Sequence, residues 1–214
     1  MLFIIRTVIL WVVISTIING YLMTLPIPVL RKRRKRDYPA TYLIQQSNRI
    51  DFQNNNECAA FSTAYLLRHY SKEAEGNALY NHFPSKMRAG SVYPKGIRTV
   101  LKNKGFKTNY YKGNIDTLKY EVSKGTPVIV FIKVQKDNNY LHFVPVVGYD
   151  EDYIYLAESL KHLVNCEVQN GYNRKVPIDE FKKLWDIKRI DMLLYSNTYI
   201  AVDVRQKLIK TKDN

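Results

Sequence analysis

Two cysteines in 214 residues are too few for a disulfide-framed fold or a cysteine-rich zinc site, although one optional bridge between Cys58 and Cys166 stays open. Acids are also scarce, 19 against 33 Lys and Arg, and none precedes Asp37. No internal repeat or low-complexity tract occurs. With 46% hydrophobic and 13% aromatic residues, disordered and collagen-like classes are excluded and there is material for a real core.

The formal charge of +14 invites a nucleic-acid reading, but it is unevenly placed. Residues Arg31, Lys32, Arg33, Arg34, Lys35 and Arg36 form an unbroken run, and Arg6 stands near the start. Taking those seven cations from the 33 leaves 26 against 19 acids, or +7, on residues 37–214. Between Thr7 and Leu25 there is no charge at all, and 19 residues at about 1.5 Å each span roughly 28 Å, close to the hydrocarbon thickness of a bilayer. This predicts one transmembrane helix, closed by Pro26 and Pro28. Six cations after the span against one before it predict a cytoplasmic domain, the basic run lying against anionic lipid headgroups. A signal peptide cleaved on export is the rival, but no A-x-A site follows. The expected division is an anchor over 1–36 and one domain over 37–214.

Beyond a polar connector over 37–56, Cys58 to Tyr70 has apolar residues at helical spacing and neither Gly nor Pro, which predicts a buried helix starting at the cysteine. Shorter helices are expected over 97–104 and 117–124, each stopped by a glycine, Gly105 and Gly125. The period then changes. Residues 127–134, 141–149 and 153–157 read as antiparallel strands, with a turn at Asp150, Glu151 and Asp152. A helix over 177–185 and a strand over 199–204 complete an α+β pattern.

A cysteine at a helix N-terminus meets unpaired N–H groups and a partial positive charge, which favour thiolate over thiol. Cys58 is so placed, and the Gln53 amide, five residues upstream, is positioned to donate to a developing oxyanion. His142 lies in an apolar strand run. With the turn near Asp150, antiparallel pairing sets it opposite or diagonal to Glu158, residues of equal parity sharing a face, so Glu158 is the candidate to orient the imidazole. Asp150 is excluded, since eight extended residues place it about 26 Å from His142. His69 is about 16 Å from Cys58 along the helix, too far to act as its base. His82 and His162 sit in polar, loop-like contexts, Cys166 follows no motif and is expected as a free thiol, and tyrosines such as Tyr110 and Tyr111 read as strand and core material.

Gln53-x4-Cys58 opening a helix, then G-T-P-V-I-V from Gly125, H-F-V-P-V-V-G-Y-D from His142, and Y-L-A-E-S from Tyr155, resembles the bacterial papain-like cysteine peptidases of the bacteriocin (double-glycine) leader-peptidase type, over about Leu43 to Val204. The resemblance implies a papain-like fold, a helical part carrying the cysteine and an antiparallel sheet carrying the histidine. It also implies a nucleophile at Cys58, a base at His142, an orienting acid at Glu158 and an oxyanion donor at Gln53, acting on a peptide or protein substrate with no metal or organic cofactor. Two positions depart from the family pattern: Glu158-Ser159 stands for Asp-Pro, and Ala59 for the Gly after the nucleophile. The glutamate motivates a second reading, a peptide-binding module without turnover beside a membrane transporter. A third, nucleic-acid or anionic-lipid binding, rests only on the charge, and no specific nucleic acid is expected.

Overall fold

The computed structural model describes residues 2–23, 29–30, 37–138, 140–168, 171–192 and 194–203. Its first element is the helix α1 (Leu2–Met23), whose side chains from Phe3 to Ile18 include the exposed apolar residues Phe3, Ile4, Trp11 and Ile17. It lies against α4 (Pro94–Asn103) and a 3-10 turn, Ile190–Met192. Among the described residues no helix is long and apolar enough to cross a membrane, so the span expected over Thr7–Leu25 is not shown. The expected stop at Pro26 and Pro28 and the basic run from Arg31 to Arg36 lie outside the described residues.

Among the described residues, the rest is an eight-stranded sheet between two helical layers. In chain order the strands are β1 (Val29–Leu30), β2 (Tyr42–Leu43), β3 (Thr108–Lys112), β4 (Val128–Lys133), β5 (Leu141–Tyr149), β6 (Tyr153–Leu156), β7 (Arg174–Pro177) and β8 (Thr198–Val202). They run β1-β3-β8-β4-β5-β6-β7, with β2 also on β5, and every pairing except β1 with β3 is antiparallel. Alternation builds the two layers. Ile129 and Phe131 of β4 and Phe143 of β5 pack towards α2 (Cys58–His69) and α4, whereas Val128, Val130, Ile132 and Val144 pack towards α5 (Ile115–Val122) and α6 (Ile178–Trp185). The helix α2 is buried nearly all round, as expected of one running through a core. A further short helix, α3 (Gly76–Asn81), packs on α2.

Most expected boundaries lie within a few residues of the observed ones. β5 spans the expected 141–149. Gly105 and Gly125 both take left-handed conformations, φ +88° and +86°, after α4 and α5. The start of α5 is earlier than expected because Asn114 and Thr117 form a reciprocal capping box, which makes Thr117 the third helical residue. Pro94 likewise opens α4 three residues before the expected 97. The elements not expected are β1 and β2, α3, β3 and β7, all of six residues or fewer.

β5 and β6 do not pair in uniform register. Tyr149 pairs with Ile154 and Gly148 with Tyr155, but Val146 pairs with Leu156, so Val147 is a bulge. Beside it the β2 backbone comes so close that a Cβ on Gly148 would stand 2.7 Å from the Tyr42 carbonyl oxygen and 2.9 Å from the Leu43 side chain. Gly148→Ala is therefore expected to destabilise the fold by about 1–3 kcal/mol, read as a lower thermal midpoint; an unchanged midpoint would contradict this account of the glycine.

Candidate active site

Cys58 is the first residue of α2, which carries no side-chain cap; the Glu57 carbonyl instead accepts from the Ala60 and Phe61 N–H groups at 2.9 and 3.1 Å. One turn on, the Ser62 hydroxyl donates to the Phe143 carbonyl at 2.9 Å. That buried bond fastens α2 to β5 at the residue next to His142, so it sets the cysteine end of the helix against the histidine strand.

His142 and Glu158 are buried, 1% and 0% exposed, and the ring Nε2 lies 2.8 Å from Glu158 Oε1. Cys58 lines the same cleft as this imidazole and is among the groups that act on its charge. Burial works against charge on this ring, but the Glu158 carboxylate and Cys58 outweigh it and raise its pKa to about 10. Burial likewise works against charge on Glu158, and there the His142 ring, Arg174 and the Leu160 N–H outweigh it, lowering its pKa to about 2. Both groups therefore carry charge at neutral pH.

The sharing of a face by His142 and Glu158 depends on the bulge. The turn after β5 pairs Tyr149 with Ile154, and that register carried on would have set Glu158 beside Pro145, on the face opposite His142. Skipping Val147 shifts the pairing by one residue and brings the acid round to the histidine.

Gln53 is bound to the residue after the acid. Its N–H donates to the Ser159 carbonyl at 3.0 Å, and the Ser159 hydroxyl donates to Gln53 Oε1 at 2.8 Å, which fixes the amide with Nε2 as its donor end. That Nε2 donates to the Asn55 carbonyl. Gln53, Cys58 and His142 line one cleft of about 470 Å³ whose further walls include Phe131, Tyr140, Phe143 and Met192. His162, expected in a polar, loop-like context, lines this cleft too. His69 stands at the far end of α2, and both cysteines are free thiols. Among the described residues no group of three or more His, Cys, Asp or Glu side chains could hold a metal ion.

Two residues that sequence reasoning missed complete the arrangement. Arg174 Nη1 is 2.9 Å from Glu158 Oε2, and the Asn173 side chain holds both backbone groups of Glu158, accepting from its N–H at 2.7 Å and donating to its carbonyl at 2.9 Å. Both follow a long excursion from β6, and neither belongs to any of the motifs quoted above.

The model of the Peptidase C39 family matches residues 46–195, most of the chain, with Gln53, Cys58, His142 and Glu158 inside the match. The chain belongs to the Peptidase C39 family. No curated protein matches it in sequence. Among solved structures, this C39 domain is similar to a putative C39-like peptidase from Bacillus anthracis, at 18% identity and a TM-score of 0.56, covering 75% of this chain and 97% of that one. It is also similar to the peptidase domain of Streptococcus ComA, a bifunctional ABC transporter involved in a quorum-sensing pathway, at 15% identity and a TM-score of 0.55, covering 73% and 98%. A third, the double-glycine motif protease of an AMS/PCAT transporter in complex with its leader peptide, has 20% identity and a TM-score of 0.50, covering 82% and 96%. At such identities the likeness carries the fold, which is the α+β papain-like one.

Proposed function

We propose that this C39 domain is a cysteine peptidase that cuts a leader peptide from its substrate. The observation that carries the reading is a buried His142 bound to Glu158 at 2.8 Å and lining the same cleft as Cys58 at the start of α2. Cys58, as thiolate, attacks the scissile carbonyl carbon. The negative charge that develops on the carbonyl oxygen is stabilised by the Cys58 backbone N–H at the start of α2 and by the Gln53 amide. Collapse of the tetrahedral intermediate expels the amine, which takes its proton from His142, and leaves a thioester on Cys58. His142 then removes a proton from water, the hydroxide attacks the thioester, and the acid product departs as Cys58 is regenerated. Glu158 keeps the imidazole oriented and balances its charge throughout.

The substrate class is proposed from the likeness to the leader-peptide protease of the AMS/PCAT transporter. Attachment to a membrane belongs to the same reading: a charge-free run over 7–25, a basic run after it and the exposed apolar side chains of α1 suit a helix covered by lipid, with the domain on the cytoplasmic face and a transporter as neighbour.

The test compares wild type with Cys58→Ala on a synthetic leader peptide ending in Gly-Gly and continued by several residues. Cleavage after the glycines is expected from wild type alone. Peptide retained by both forms and cut by neither would leave a binding module instead, and cleavage that survives Cys58→Ala would dismiss the nucleophile.

A further inference from the structure

Glu158 takes the place at which the family resemblance implies an aspartate, and one extra methylene gives its carboxylate another bond to rotate about. In this structure that freedom is removed. Oε1 accepts from the Leu160 N–H at 2.8 Å as well as meeting His142 Nε2, and Oε2 is held by Arg174. Arg174 is itself 6% exposed, so its charge has little water to turn to. It opens β7 opposite Leu156, two residues before Glu158, and its neighbour Asn173 grips the Glu158 backbone from both sides. The acid's main chain and side chain are thus clamped by two consecutive residues.

We propose that Arg174 is a positioning residue of the peptidase site: it fixes the Glu158 carboxylate against His142 and sets how tightly the Cys58 and His142 pair holds its protons. The inference rests on the reading of Cys58 as nucleophile. From Arg174 to His142 the charges alternate, guanidinium, carboxylate, imidazolium, and Cys58 lines the same cleft as the imidazole. Without the Arg174 guanidinium the site has one positive charge fewer, which makes every proton in it harder to remove. Loss of the Arg174 charge should therefore move thiolate formation to higher pH, and a lysine at that position should prevent the move.

The experiment measures the rate of Cys58 alkylation by iodoacetamide against pH, in the full 214-residue chain with Cys166→Ser to remove the other thiol. In Arg174→Gln the acid-side rise in rate is expected to shift upward by about one pH unit, while Arg174→Lys keeps the midpoint of the parent. Arg174→Met carries the same expectation as the glutamine variant and replaces it where that variant fails to fold. A midpoint unmoved in both neutral variants, with only the plateau lowered, would reduce Arg174 to a structural part; a lysine variant shifted as far as the neutral ones would do the same. In the chain altered only by Cys166→Ser, the guanidinium NMR signals of Arg174, assigned by their loss in Arg174→Lys, should move when Cys58 is alkylated, and signals that stay in place would overturn the proposal. An activated parent Cys58 with no effect at Arg174 defeats this inference alone, whereas a parent Cys58 no more reactive than glutathione defeats the peptidase reading with it.

Discussion

His142→Ala will lower Cys58-dependent peptide hydrolysis by about a thousandfold or more while leaving the fold in place. General acid and base chemistry by one positioned side chain contributes about 10²–10⁴ in rate. Here the same ring must relieve Cys58 of its proton, protonate the leaving amine and activate water. Glu158 would retain Arg174 and the Leu160 N–H as partners, so the acid is not orphaned by the change. The check is turnover on the leader peptide together with a thermal melt. Hydrolysis within about tenfold of wild type, from a folded variant, would remove His142 from the mechanism.

Glu158→Leu has the largest expected effect on stability. It strips the buried Arg174 guanidinium of its carboxylate and the Leu160 N–H of an acceptor. Breaking one side of a buried ion pair costs about 3–5 kcal/mol, because the remaining charge is left unpaired in a medium that solvates it poorly. The double variant Glu158→Leu with Arg174→Met, which buries two apolar chains in place of two charges, should recover most of that loss in urea unfolding midpoints and none of the peptide hydrolysis. A double variant as unstable as the single one would show that the ion pair is not the source. In the wild-type protein the same midpoints carry the pH signature of the pair. The Glu158 contribution is held above its ordinary value of 4.5 and lost as pH falls towards about 2. That of His142 is complete below its ordinary value of 6.5 and lost as pH rises through about 10.

The candidate site residues were more legible in the sequence than the device that brings them together. Cys58 was readable because the uninterrupted helical pattern from Cys58 to Tyr70 fixes where the helix begins, and β5 because its nine residues are a bounded apolar run. Glu158 was reached by equal parity with His142, a rule that the tight turn at Glu151 and Asp152 does not itself support. It holds because Val147 is skipped, and a bulge leaves no mark in hydrophobic alternation when both strands are apolar. Gly148 was the available clue, since the closeness of the β2 backbone there leaves no room for a side chain.

Gln53 could be placed by its spacing from Cys58, but its bond to Ser159 joins residues 106 positions apart and has no local signal. The same holds for Arg174. Its pairing with Glu158 follows from the β6 and β7 register, and β7, four residues long, was too short to be recognised. The missed strand β3 shows the limit from another side: Thr-Asn-Tyr-Tyr-Lys buries only Thr108 and Tyr110, and it is a strand because β8 lies beside it. The tyrosines Tyr110 and Tyr111 do fall there, as strand material.

The excursion that leaves β6 at Leu156 and returns as β7 at Arg174 is closed at its mouth, where Asn173 bonds to both backbone groups of Glu158. The acid and its clamp therefore occupy the two ends of the stretch, while Leu160 and His162, further out, face the cleft. Such a layout works as a cassette. On the proposed peptidase reading, exchange of the outer residues would suit the cleft to a different peptide while the latch at the base keeps its geometry, so the choice of substrate is separable from the chemistry.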